Sequence, residues 1–195
     1  MRKNKTMMYY KIIFFLCYSL CLFAQENEQI QSQLQKYESC ILQKKFLESC
    51  EYIYPRTFET ITKEEFAFAM EQTFNDTTVQ VRIDSIFVQK YGQNFSYQGG
   101  NYTPIKYSTM LRMSFKEQTD SDLMKITLSV FKTKYGDKNV RYDSITHAFF
   151  ITTSETMLAI KDQYSPNWTF LRTASKKAHE LLPKKVVKKL LNKQN

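Results

Sequence analysis

Asp122-Leu123-Met124-Lys125-Ile126-Thr127-Leu128-Ser129-Val130-Phe131-Lys132-Thr133-Lys134-Tyr135 is the stretch on which the fold turns. Two periodicities are superposed in it. Met124, Ile126, Leu128 and Val130 alternate as on a half-buried strand. Leu123, Met124, Thr127, Leu128, Phe131 and Tyr135 fall at three- and four-residue steps, as on one face of a helix. The ends decide between the two. Asp120-Ser121-Asp122 supplies N-capping side chains, Lys132 and Lys134 suit the negative C-terminal end of a helix, and Gly136 stands where a helix terminus favours glycine. The stretch is therefore predicted to be a helix set between two groups of strands.

On its N-terminal side, Thr77–Val88 has period two: Val79, Val81 and Ile83 alternate with Gln80, Arg82 and Asp84. The phase then slips to Ile86 and Val88, which predicts a bulge near Ser85. Tyr107, Thr109, Leu111, Met113 and Phe115 define a second strand. Between them, Tyr91–Pro104 reads as a long loop with two adjacent glycines and three exposed aromatics, Phe95, Tyr97 and Tyr102. On the C-terminal side, Val140–Asp143, His147–Thr153, Thr156–Lys161 and Trp168–Leu171 read as short strands. Turns are expected at Thr153-Ser154-Glu155 and Ser165-Pro166-Asn167.

Helices bracket this region. Residues 26–53 carry Ile30, Leu34, Tyr37, Ile41 and Leu42 at helical spacing, with a break expected near Lys44-Lys45 and an end at Tyr54-Pro55. Thr62-Lys63-Glu64-Glu65 is a capping box, and Phe66, Ala69, Met70 and Phe74 mark one face of the helix it opens. At the other end, Ala174–Leu182 is helical and Pro183 starts a second short helix. The whole is an α+β layout: N-terminal helices packed on a curved antiparallel sheet, a mid-chain helix and a C-terminal basic helix.

The first eleven residues hold Arg2, Lys3, Lys5 and Lys11 and no acid; residues 12–24 carry no charge; Gln25-Glu26-Asn27-Glu28 is abruptly polar. A basic start, a short apolar run and a small exit residue, Ala24, predict a cleaved export signal over 1–24. The run is shorter than the about 20 residues of a membrane span. The protein is thus expected to work outside the cytoplasm, periplasmic or secreted, as a single α+β domain over 25–195 with 174–195 as its basic tail. The alternative is an uncleaved N-terminal segment tethering the domain to the inner membrane.

Removing the leader changes the charge. The chain is formally +9; four charges belong to the leader and a net seven to residues 172–195, which leaves the body, 25–171, at −2. A near-neutral domain with a basic tail argues against a nucleic-acid-binding face. Cys40 and Cys50 are the two cysteines beyond the leader. Ten residues of straight helix span about 15 Å, so a disulfide between them requires the break near Lys44; two free thiols are the other reading. There is no CxxC, Cys/His cluster or HExxH, so no metal or cofactor is expected.

Lys134-Tyr135-Gly136-Asp137-Lys138-Asn139-Val140-Arg141-Tyr142-Asp143, Met157-Leu158-Ala159-Ile160-Lys161-Asp162 and Asn167-Trp168-Thr169-Phe170-Leu171 resemble segments of small uncharacterised exported proteins of Bacteroidota. The Phe23-Ala24-Gln25 exit is similar to signals in that group. The resemblance implies export and carries no activity. By element order alone the chain also loosely resembles the NTF2-like, cystatin-like cone.

Three features are candidate sites. In 178–192 an apolar stripe (Leu181, Leu182, Val186, Val187, Leu190, Leu191) is ringed by Lys184, Lys185, Lys188 and Lys189, which either dock on an anionic membrane or acidic partner or sit in solvent above a packed helix. The aromatic loop 91–104 suits carbohydrate or partner contact, or folds back on the sheet. Asp84 or Asp143 with Tyr107 or Tyr142 would supply the carboxylate and hydroxyl of an isomerase-like pocket; His147 and His179 stand in no catalytic motif. Asp84-Ser85-Ile86 and Asp143-Ser144-Ile145 resemble Bacteroidota O-glycosylation signals. The reading is a non-enzymatic exported domain binding an unknown protein or envelope component, with a small enzyme or ligand carrier as the alternative.

Overall fold

The computed structural model describes residues 26–76, 78–115 and 120–191; the export signal expected over 1–24 lies outside the described residues. Helix α1 occupies 26–42. Lys44 then takes a left-handed conformation (φ 57°), and α2 (Phe46–Ser49) and a 3-10 turn (Cys50–Tyr52) follow. The break falls where the sequence placed it, yet both Cys40 and Cys50 are free. Pro55 opens a second 3-10 turn, Pro55–Glu59. Helix α3 (Lys63–Phe74) carries the expected capping box. Glu65 N donates to Thr62 Oγ1 at 3.1 Å, and Thr62 N donates to Glu65 Oε2 at 2.9 Å.

Six antiparallel strands make one open, curved sheet: β1 (Val79–Tyr91), β2 (Phe95–Tyr97), β3 (Gly100–Phe115), β4 (Val140–Asp143), β5 (Ala148–Asp162) and β6 (Ser165–Arg172). The long strand β3 lies between β5 on one side and β1 and β2 on the other; β4 and β6 pair with the far edge of β5. The register of β1 shifts between Ile83 and Ser85, where the hydrophobic phase slips, and again between Val88 and Lys90. Helix α4 (Ser121–Tyr135) fills the segment of double periodicity. Asp120 caps it by accepting from Asp122 N, and Gly136 ends it at φ 92°. Ser175 caps α5 (Lys176–Glu180), and α6 (Lys184–Leu191) follows Pro183.

Three expected features differ. Residues 91–104 are not a long loop: β2 and β3 form a tight hairpin turning at Gln98-Gly99, both at positive φ (49° and 77°), which matches the right-handed twist of paired strands. Gly100 follows because a Cβ there would meet the Tyr102 hydroxyl at 2.6 Å. Nor does the chain turn at Thr153-Ser154-Glu155. These residues continue β5, each paired with β3 (Thr109, Ser108 and Tyr107), and none of the six is Gly or Pro. Nor is Ser165-Pro166-Asn167 a turn: these residues open the edge strand β6, and the chain turns earlier, at Asp162–Ser165, where Asp162 Oδ1 accepts from the amides of Tyr164 and Ser165.

The sheet buries two faces unequally. One face carries Ile105, Tyr107, Met157, Ala159, Trp168 and Phe170, and Ile30 and Leu34 of α1 pack on it. The same face meets α3 through Phe74 and Ala67 and α4 through Met124. The opposite face carries Tyr102, Leu158, Ile160 and Leu171, and is covered by α5 and α6 through Ala178, Leu182, Val186 and Leu190. Half of the tail's apolar stripe is therefore core: Leu182, Val186 and Leu190 are buried, Leu181 and Val187 are half-buried, and Leu191 is exposed.

Candidate functional site

Burying Val186 and Leu190 fixes where the tail lysines go. With the stripe turned inward, Lys184, Lys185, Lys188 and Lys189 are all exposed. Lys185 and Lys189 stand one helical turn apart, about 6 Å along the axis. Phe95 and Tyr97 stand two residues apart on β2, about 6.6–6.8 Å along the strand, on one face. The spacings match, so two cation–ring contacts form side by side: Lys189 Nζ lies 4.1 Å from the Phe95 ring centroid and Lys185 Nζ 5.6 Å from that of Tyr97. Phe95 in turn stacks on buried Tyr102, with centroids 5.5 Å apart. Of the three aromatics expected at the surface, Tyr102 is thus buried and Phe95 and Tyr97 are half-buried under lysines.

The positive surface continues past the helix. Lys90 and Lys106 are exposed and face each other across the β1–β3 ladder, an arrangement in which like charges destabilise. They share a depression with Leu190. Further along the same face, the Phe150 ring lies between the guanidinium carbons of Arg112 and Arg141, at 5.1 and 4.3 Å. Asp84 answers Arg112 at 2.8 Å, but among the described residues no carboxylate forms an ion pair with Lys90, Lys106, Lys184, Lys185, Lys188 or Lys189. The body is near neutral overall, and Lys90, Lys106, Arg112 and Arg141 are the body cations that extend the tail's positive surface.

Glu26, the first described residue, accepts a 2.6 Å hydrogen bond from Asn94, the neighbour of Phe95 in the chain. The start of α1 is thus held against the residue that precedes β2.

The other candidates separate. Tyr107 does meet a carboxylate, but it is Glu155, directly across the ladder: the hydroxyl donates to Glu155 Oε2 at 3.0 Å, and Arg172 Nη2 donates to the same oxygen at 2.6 Å. Burial pushes the Tyr107 hydroxyl well up from its ordinary pKa. Neither carboxylate proposed from sequence is this partner. Asp84 pairs with Arg112 and Arg82, and Asp143 accepts from the amides of Ile145 and Thr146 in the β4–β5 turn. Tyr142 instead lies 3.3 Å from His147 Nδ1. The Glu155 partnership could have been found from the sequence only with the strand register in hand. Of the two glycosylation-like triplets, Asp84-Ser85-Ile86 is in the β1 bulge, whereas Asp143-Ser144-Ile145 is on a turn with Ile145 89 % exposed. Cys50 is buried and its thiol donates to Phe46 O at 3.3 Å; burial raises its pKa, which disfavours the reactive thiolate.

Among the described residues no helix is long and apolar enough to cross a membrane, and no group of three or more His, Cys, Asp or Glu side chains could hold a metal ion. No protein-family profile matches the sequence, and no curated protein is significantly similar to it.

Proposed function

We propose that this is an exported binding domain that docks on an anionic membrane surface of the cell envelope through the face made by α6, β2 and the Lys90–Lys106 pair. The observation that carries the reading is the array of exposed lysines with no acidic partners, two of them held over Phe95 and Tyr97. A lysine poised over a ring loses less freedom when it meets a phosphate.

Because Leu182, Val186 and Leu190 are committed to the core and only Leu191 of the stripe is exposed, docking is mainly electrostatic and peripheral, without insertion of the helix. Lysines near an anionic surface contribute about 1 kcal/mol each, so four give about 4 kcal/mol, on the order of a thousandfold in partitioning. The test is co-sedimentation with vesicles of phosphatidylglycerol and phosphatidylcholine against phosphatidylcholine alone. Binding should require the anionic lipid and vanish near 1 M salt, where the Debye length falls to about 3 Å. Equal binding to neutral vesicles, or none to anionic ones, would overturn the proposal.

A further inference from the structure

We propose that the domain has a second, separate ligand site: a cavity at the outer edge of β6 that takes a small carboxylate with an apolar body. The cavity measures about 220 Å³ and lies between α1, α3, β6 and α5. It forms because Ile53 bridges to Phe170 and draws the 53–61 segment along the β6 edge, while α3 and α5 stand off on either side of it.

Its walls are apolar, with Ile41, Phe66, Met70 and Phe170 prominent. Two features define the polarity of its occupant. The Thr57 hydroxyl, in the lining, is buried and without a hydrogen-bond partner, a costly state that a ligand oxygen would relieve. The charged side chains of the lining are Arg172 and Lys177, both cations, and no carboxylate is among them. Arg172 gives two of its donors to Glu155 and its side chain is 61 % exposed, so further guanidinium donors stay open to a ligand. Lys177 has no ion-pair partner among the described residues.

An apolar interior with a cationic rim matches an amphiphilic anion. Size narrows the class: with about 30 Å³ per heavy atom, the volume of a liquid water, the cavity holds about seven heavy atoms, enough for the apolar body of the ligand with its carboxylate outside that volume, at the cationic rim. It is smaller than the roughly 300–1,000 Å³ of drug-sized sites. A short-chain or single-ring carboxylate fits; a long acyl chain does not. This site uses none of the lysines of the membrane-docking face, so either can fail without the other.

The experiment is a methyl-detected NMR titration of the protein with sodium hexanoate and, separately, hexan-1-ol. Hexanoate should shift the Ile41 and Met70 methyls saturably and bind about tenfold more tightly than the alcohol, the worth of one charged hydrogen bond. Lys177→Gln should narrow that gap, and Met70→Trp, which fills the cavity, should abolish the shifts. If Met70→Trp does not fold, the acid–alcohol comparison on the unmodified protein decides alone. Absence of saturable shifts with hexanoate, or equal affinity for the alcohol, would overturn the proposal.

Discussion

The Lys189 ammonium lies 4.1 Å from the centre of the Phe95 ring, although one residue comes from the last helix and the other from the shortest strand. The contact exists because Val186 and Leu190, on the other side of the same helix, are sealed against Tyr102, Leu158 and Ile160. The tail holds the domain together and displays its charge at the same time.

The first prediction follows from that double role. Leu190→Ala should destabilise the domain by about 2–5 kcal/mol, read as a lower midpoint in urea followed by circular dichroism. A tail that served only as a loose membrane anchor would leave the midpoint unchanged.

Charge and stability should be separable. The triple variant Lys185→Gln, Lys188→Gln, Lys189→Gln should weaken binding to phosphatidylglycerol vesicles by about 3 kcal/mol, on the order of a hundredfold. Its urea midpoint should fall only modestly, since two exposed cation–ring contacts are worth about 1–2 kcal/mol together. This variant is a better probe than deleting 183–195, which would uncover the apolar face beneath α6. Full vesicle binding by the triple variant would rule out the lysine surface as the docking face.

Glu38, on α1, has a buried Oε1 with no hydrogen-bond partner, and burial pushes its carboxyl up to about 7 from an ordinary 4.5. The folded state therefore holds a proton that the unfolded chain releases. Stability should be greatest below the unfolded value, fall as pH rises from about 4.5 towards about 7, and level off above. Urea midpoints of Glu38→Gln should lack this component of the slope. An unchanged pH profile in the variant would show that Glu38 is not its source.

The β2–β3 turn offers a backbone test. Gly99 sits at φ 77°, and a Cβ on it would have no atom within 4 Å, so Gly99→Ala meets no clash and reports the left-handed conformation alone. The expected cost is about 1 kcal/mol, whereas Gln98→Asn, giving the favoured Asn-Gly pair, should stabilise. Calorimetric melting temperatures that move the other way would contradict the turn.

Local signals were legible in the sequence. The capping box at Thr62, the helix ends at Asp120 and Gly136, the break at Lys44 and the bulge near Ser85 all depend on residues within a few positions of one another, and each stands where it was expected. The lysine quartet and the aromatic segment 91–104 were also visible, as two unrelated features. Their meeting was not, because nothing local says that a strand near residue 95 and a helix near residue 187 share a core.

By itself, then, the sequence determined the α+β class, the helix and strand segments away from 91–104, 153–155 and 165–167, and the concentration of positive charge at the C-terminus. Only the tertiary structure decided which side of the last helix faces water, that Tyr107 answers to Glu155, and that a cavity opens beside β6. The reason is physical. Caps, bulges and periodicity are set by neighbours in the chain, whereas burial, register and charge pairing are set by partners that only the folded sheet brings together.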